Sequence, residues 1–171
     1  MIVPDSPQNA VAVADHYDEL DPVYRLVWGE HVHHGFWATG RETSAEAVEA
    51  LVDTVGNRLL LRPGEACVDI GCGYGSTARR LAATRGVRVT GVTLSAAQAD
   101  YAAAHPAPGV DIRRGDWLAD GIADEMANGM ADGSADAAWA IESSEHMVDK
   151  PGFFAQAHRV LSPGGRFVVC A

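Results

Sequence analysis

The stretch Val68-Asp69-Ile70-Gly71-Cys72-Gly73-Tyr74-Gly75-Ser76 decides the fold. The apolar run Ala66–Ile70 reads as a short strand that enters a glycine-rich turn. Ser76–Thr84 reads as the following helix, with Leu81 and alanines turned inward. Strand, glycine turn and helix together form a binding device. The glycines let the backbone approach a ligand, and the helix N-terminus offers unpaired N–H groups. Spacing selects among ligands. A dinucleotide fingerprint places glycine at the first, third and sixth positions, whereas here glycine falls at 71, 73 and 75 and the sixth position is Ser76. No Gly-Lys-Ser/Thr is present, which excludes a P-loop. Asp69 stands just before the turn, where a carboxylate repels phosphate and accepts from an ammonium or hydroxyl. The turn therefore points to a zwitterionic, phosphate-free ligand with an adenosine part. The bland alternative is an ordinary tight strand–helix turn.

Outward from this turn the chain alternates. Val87–Val92 reads as a second strand, and Ser95–Ala104 as a helix with Ser95 as cap and Gln98 three residues on. Val110–Arg113 and Asp136–Ile141 read as the third and fourth strands. Pro151–Leu161 reads as a helix with Phe154, Ala157 and Leu161 along one side, then a turn at Pro163-Gly164-Gly165 and a fifth strand over Arg166–Ala171. Upstream, Thr43-Ser44-Ala45-Glu46 is a capping box opening a helix that carries Val48, Leu51, Val52, Val55 and Leu59 and stops at Arg62-Pro63-Gly64. Strands separated by helices at this spacing imply a doubly wound α/β sheet of about five parallel strands. Ala119–Ala135 is a low-complexity stretch that reads either as one weak helix around Ile122–Asn128 or as a surface loop.

Residues 1–15 read as a loose polar start. From His16 to Trp37 the chain gathers Tyr17, Tyr24, Trp28, Phe36 and Trp37 among four histidines, in a chain only 7% aromatic. Residues 1–43 are thus expected to form a helical, aromatic lid segment, and residues 44–171 the binding domain. His33 and His34 are adjacent and cannot both face one site on regular structure, which argues against a metal cluster. Packing beneath the lid suits them better, with the acceptor pocket as an alternative for either.

Composition sets the outer bounds. The 171 residues carry a net charge of −10, which repels phosphate backbones and anionic lipid and makes nucleic acid and membranes poor partners. No apolar run reaches the ~18 residues of a membrane span, and the start Met1-Ile2-Val3-Pro4-Asp5 shows no basic region followed by an apolar run, so no secretory signal is expected. Cys67, Cys72 and Cys170 have no metal-like spacing and read as reduced thiols of a cytoplasmic protein.

Five segments in this order resemble the class I S-adenosylmethionine-dependent methyltransferases. They are Val68–Gly75, Gly91-Val92-Thr93-Leu94-Ser95-Ala96-Ala97-Gln98, Gly115-Asp116-Trp117, Ala140-Ile141-Glu142-Ser143-Ser144-Glu145-His146-Met147, and Leu161-Ser162-Pro163-Gly164-Gly165-Arg166. His16-Tyr17-Asp18 and the run Trp28–Trp37 are similar to the branch containing sterol and tocopherol C-methyltransferases and cyclopropane fatty acid synthases. The resemblance implies S-adenosylmethionine as cofactor and a Rossmann-like fold. It further implies that Gly71, Gly73 and the Cys72 backbone line the methionine part, with Asp69 nearby. Thr93 and Gln98 would share the ribose-facing region, Leu94 would also bind the cofactor, Asp116 would accept from the adenine amino group, and Trp117 would flank the ring. Ile141 and Glu142 would face the sulfonium, and Tyr17 would lie over the cofactor.

A methyl donor of this kind asks for positioning first. A base is needed only where the acceptor carries a proton or a carbocation must lose one. Glu142, Glu145 and His146 are the candidates, although Glu145 and His146 also suit a plain helix start. The expected reaction is methyl transfer to a small, lipophilic, isoprenoid-like acceptor, C-methylation ahead of O- or N-methylation. The alternative is a binding module without turnover, or one half of a two-chain enzyme. A full domain of the resembled class has two more strands. The sequence stops inside its fifth, so an incomplete domain is expected, with an exposed sheet edge open to self-association or a partner chain.

Overall fold

Thr43 starts the first core helix as its sequence dictates. Its hydroxyl accepts from Glu46 N at 3.2 Å, and the Glu46 carboxylate accepts from Thr43 N at 2.8 Å. The computed structural model describes residues 9–119 and 129–171. Two short helices, α1 (Ala10–Glu19) and α2 (Asp21–Val27), precede α3 (Ser44–Arg58). The alternating part then runs β1 (Ala66–Ile70), α4 (Ser76–Arg85), β2 (Arg88–Thr93), α5 (Ala96–Ala104), β3 (Val110–Arg114), β4 (Ala135–Ile141), α6 (Lys150–Val160) and β5 (Leu161–Cys170). The suggested helix at 122–128 lies outside the described residues.

All four strand pairings are parallel, and the order is β3-β2-β1-β4-β5. Side chains alternate across the sheet. Cys67, Trp139 and Ile141 pack with Val52 and Val55 of α3, Leu59 at its C-cap and Leu81 of α4 on one face. Val68, Ile70, Ala138 and Ala140 pack with Phe153, Ala157 and Val160 of α6, and with Trp117, on the other. The inward side of α6 differs from the expected one. Phe153 is fully buried and Phe154 is 52% exposed, so the apolar stripe is Phe153-Ala157-Val160 rather than Phe154-Ala157-Leu161. Two adjacent phenylalanines leave the phase of the stripe undetermined in sequence, and the sheet selects the one that fills its layer. The α3 helix also ends earlier than Arg62, because Leu60 turns to φ 51°.

The reading of residues 1–15 as loose is corrected for 10–15. Asn9 caps α1 by accepting from Ala12 N at 2.9 Å. This helix has no fully buried side chain, so its docking rests on polar clamps. The Asp18 carboxylate accepts from the Ser95 hydroxyl and from Ala97 N and Ala96 N at 3.1 and 3.3 Å, closing the N-terminus of α5. Asp21 accepts from Tyr74 Oη at 2.8 Å, and Glu30 from Arg79 at 2.6 Å and Tyr101 Oη at 2.9 Å.

Burial opposes the Asp18 charge, but the donors from Ser95, Ala97 and Ala96 outweigh it and hold the carboxyl below its ordinary value of 3.8. For a lowered carboxyl the stabilisation is present above the unfolded value and is lost as pH falls through the folded one. The protection of the α1 amides, once corrected for the intrinsic pH dependence of exchange, should therefore be steady from neutrality to mildly acid pH, then fall below 3.8. Asp18→Ala should lower that protection at neutral pH, with the difference from the parent closing as pH falls below 3.8, while leaving β1 and β4 protected. Unchanged exchange in that variant would contradict the clamp.

Candidate functional site

Sheet topology places the site. β1 and β4 are neighbours, yet the chain leaves β1 toward β2 and leaves β4 toward β5. The crevice beyond the carboxyl ends of these two strands is the switch point where open α/β sheets bind ligands. Gly71 makes the crevice possible. Its φ is 73°, and a Cβ there would lie 2.4 Å from the Ser143 Cβ, so the two strand exits approach as closely as a glycine allows. Ser143 Oγ donates to Ile70 O at 2.6 Å and ties the exits together. A Cβ at Gly73 would meet nothing within 4 Å, so that position faces open space.

Two adjoining cavities occupy the crevice and share Val32, Gly71, Gly73 and Ile141 in their walls. The larger, about 640 Å³ with its open mouth, is walled by Thr93, Leu94, Gln98, Gly115 and Trp117 on one side. Tyr17, Glu142, His146 and Met147 wall the other. The smaller, about 320 Å³, is polar, and its wall includes Asp69, Cys72, His31, His33, Ser76 and Thr77.

At the first wall Thr93 Oγ1 donates to Gln98 Oε1 at 2.6 Å. Gln98 therefore completes only half of a capping box with Ser95, giving its backbone N–H to Ser95 Oγ at 3.1 Å and its side chain to Thr93. Trp117 is buried, donates Nε1 to Phe153 O at 3.3 Å, and belongs to the core as well as to the cavity wall. Asp116 is not part of either wall, and its Oδ1 accepts from Leu118 N at 2.9 Å.

At the opposite wall Tyr17 Oη and His146 Nε2 lie 2.9 Å apart. Burial, and then the nearby Tyr24, Glu145 and Glu142, push Tyr17 up to about 12, so it is a phenol at neutral pH. Burial lowers His146, the largest of several influences, so its imidazole is neutral there. Glu142 has φ 47°, an unusual value for a non-glycine residue. Its carboxylate accepts from His34 N at 3.0 and 3.1 Å and from His34 Nδ1 at 2.7 Å, while its own N–H bonds Cys170 O at 2.7 Å. Such a conformation persists only where the surroundings hold it. Glu145 is exposed and stands outside both walls.

Asp69 is the most consequential charge. It is 3% exposed, and its Oδ2 has no hydrogen-bond partner. Burial pushes its carboxyl up to about 7. The Trp139 indole beside it offsets this in part, although neither Oδ2 nor Nε1 reaches hydrogen-bond geometry. The Cys72 thiol is held protonated by burial and by the Asp69 charge. Among the described residues no group of His, Cys, Asp and Glu could hold a metal ion, and no helix is long and apolar enough to cross a membrane.

Of the residues expected from sequence, all but Asp116 and Glu145 converge on the two cavities. The reading gave no site role to Asp18, Ser143, Glu30 or His31, and it offered His33 packing beneath the lid or the acceptor pocket, whereas His33 walls the smaller cavity.

The family described as mycolic acid cyclopropane synthetase matches residues 5–171. The 27-O-demethylrifamycin SV methyltransferase of Amycolatopsis mediterranei is 39% identical over 155 residues, 90% of this chain and 55% of that protein. The chain thus spans about half the length of that relative. Among solved structures, the [4+2]-cyclase SpnF superposes with a TM-score of 0.84 at 30% identity, covering 95% of this chain and 60% of SpnF. The geranyl diphosphate C-methyltransferase of Streptomyces coelicolor A3(2), solved with Mg2+, geranyl diphosphate and S-adenosyl-L-homocysteine, gives 0.74 at 25% identity, covering 98% and 65%.

A buried carboxyl raised in the folded state destabilises it as the unfolded chain ionises first. The penalty grows from the ordinary value of 3.8 to about 7 and is complete above that. In the absence of ligand, Asp69→Asn should be the more stable protein at pH 8 by roughly 2–4 kcal/mol, and the gap should close toward pH 4. Urea titrations at the two pH values measure this. A variant less stable than the parent at pH 8 would contradict it.

Proposed function

The chain belongs to the mycolic acid cyclopropane synthetase family, and on that footing we propose that it binds S-adenosylmethionine across both cavities and takes part in methyl transfer to a small, lipophilic acceptor. The single observation that carries this reading is Asp69. It is one of the residues that wall the smaller cavity, and its Oδ2 is buried without a hydrogen-bond partner; such a carboxylate is matched by an ammonium, which a zwitterionic amino-acid tail supplies and a phosphate does not. The open space at Gly73 and the close approach at Gly71 leave room for that tail against the backbone. The adenosine part fits the larger cavity, where Thr93 and Gln98 offer hydroxyl and amide to the ribose and Trp117 an apolar wall. Asp116 would have to release Leu118 N to serve the adenine.

Bound there, the cofactor supplies an electrophilic methyl group on sulfur. Val32 and Ile141, shared by both cavities, flank the region where that methyl would stand. The acceptor then lies toward Tyr17, His146, Glu142 and Met147. Tyr17 and His146 handle its proton. As the acceptor hydroxyl, or a methylated carbocation, gives a proton to the Tyr17 oxygen, Tyr17 passes its own to His146 Nε2 across their 2.9 Å bond. The imidazolium that forms is favoured by the Glu145 charge nearby, which gives this exposed residue an indirect part. Glu142, engaged by His34, positions the lid over the acceptor rather than acting as a free base.

C-methylation of an isoprenoid-like acceptor is supported by the geranyl diphosphate enzyme. O-methylation of a natural product is supported by the rifamycin relative. A second reading, cofactor binding without methyl transfer, draws on the likeness to a [4+2]-cyclase. Among the described residues no strand pairs with the outer edge of β5, which leaves it open to further strands of the same polypeptide, a second copy or another chain.

Transfer of labelled methyl to isoprenoid and phenolic acceptors separates the readings. Methyl transfer is expected, with Tyr17→Phe and His146→Gln each lowering kcat by about 10²–10³-fold and leaving S-adenosylhomocysteine affinity within about threefold. Activity should fall on the acid side as His146 protonates, at a pH below the ordinary histidine value of 6.5. Tight binding with no transfer to any acceptor would favour the second reading, and no binding would overturn both.

A further inference from the structure

His31 and His33 form a pair that the methyl-transfer chemistry leaves unused. Their rings meet edge to face, with His31 Nδ1 3.1 Å from His33 Nε2. His33 Nδ1 lies 2.7 Å from His34 O. A carbonyl only accepts, so His33 carries its proton on Nδ1. Neutral His33 therefore presents a lone pair at Nε2, and His31 must donate to it from Nδ1. Neutral His31 is then left with a bare lone pair on Nε2, for which no hydrogen-bond partner exists among the described residues. The tautomer of each ring follows from one carbonyl oxygen.

Both rings wall the smaller cavity with Asp69 and with Ser76 and Thr77 of the α4 N-terminus. A tail that sets its ammonium on Asp69 has a carboxylate to place in the same cavity. The α4 N-terminus favours an anion there, while the neutral pair offers it only a lone pair. One proton on His31 Nε2 reverses that and turns the pair into a donor.

Resting on the S-adenosylmethionine reading above, we propose that the His31–His33 pair seats the carboxylate of the cofactor's tail and takes up one proton from solvent at His31 Nε2 as that carboxylate arrives. The groups around the pair agree with this. Burial and His33 hold free His31 at about 4 against the pull of Glu30, with Arg79 and Arg80 adding to the repulsion. Burial likewise lowers His33, against His34 O and Glu142. The pair is thus uncharged before binding, and an arriving carboxylate is the charge that raises it. Proton uptake on binding means that affinity weakens as pH rises through the bound-state value. Asp69, about 7 in the free protein, repels a carboxylate as it ionises over the same range, so it must be silenced to read the pair alone.

The experiment uses two probes on the Asp69→Asn protein: 5′-(3-carboxypropylthio)adenosine, which keeps the carboxylate and lacks the amine, and 5′-methylthioadenosine, which lacks both. Between pH 5 and pH 7 the carboxypropyl compound should lose about tenfold in affinity. Calorimetry in buffers of unlike ionisation enthalpy should show proton uptake. The methylthio compound should show neither. Adding His31→Gln should flatten the carboxypropyl profile to that of the methylthio compound while leaving methylthioadenosine affinity unchanged. A flat carboxypropyl profile before His31 is replaced, or an unaltered slope after it, would overturn the proposal. Should the double variant fail to fold, the contrast between the two probes on Asp69→Asn decides alone. Failure of methylthioadenosine to bind at all would instead overturn the cofactor reading, and the proposal with it.

Discussion

Everything at the site depends on how closely β1 and β4 let their exits meet. Gly71 has no side chain to hold Ser143 away, and Ser143 Oγ closes the gap onto Ile70 O. A methyl group at Gly71 would sit 2.4 Å from another carbon, which no packing tolerates. The approach keeps the glycine turn open on its ligand side and sets Asp69 one residue behind Ile70, on the sheet face shared with Trp139. From there Asp69 stands on the wall of the smaller cavity while only 3% of it is exposed. The same contact brings Glu142 and the residues after it to the rim. Gly91 extends the effect, because a Cβ there would collide with Cys72 and Ile112. The turn is thus packed against both neighbouring strands of β1.

The fold was legible because its signals are local. Alternating apolar runs, the Thr43–Glu46 box, the Ser95 cap and the glycine spacing each act within a few residues, and the parallel sheet follows from their order. Where two local readings were equally good, sequence could not choose. The pair Phe153-Phe154 offers two helix faces 100° apart, and only the space above β4 and β5 settles which is inward. The α1 helix escaped notice for a related reason. It has no buried stripe to give it periodicity, and what holds it is Asp18 reaching Ser95, 77 residues away.

The site was legible in part. Residues that line the cavities through backbone position, such as Gly71, Gly73, Leu94 and Ile141, follow directly from strand ends. Side-chain engagements made by tertiary contact do not. Glu142 is bound to His34 of the N-terminal segment, Asp116 turns back on Leu118, and Glu145 faces out. A carboxylate in a motif states only that an acid stands near the site. Its partners decide whether it is a base, a clamp or a cap.

S-adenosylmethionine is placed at the carboxyl ends of β1, β2 and β4. The most direct measurement is the change in backbone amide resonances as S-adenosyl-L-homocysteine is titrated in. Shifts concentrated at residues 71–76, 93–98 and 31–34, with residues 161–168 of β5 unmoved, are the expected result. Saturating shifts elsewhere on the sheet with the Gly71–Ser76 amides unmoved would contradict it.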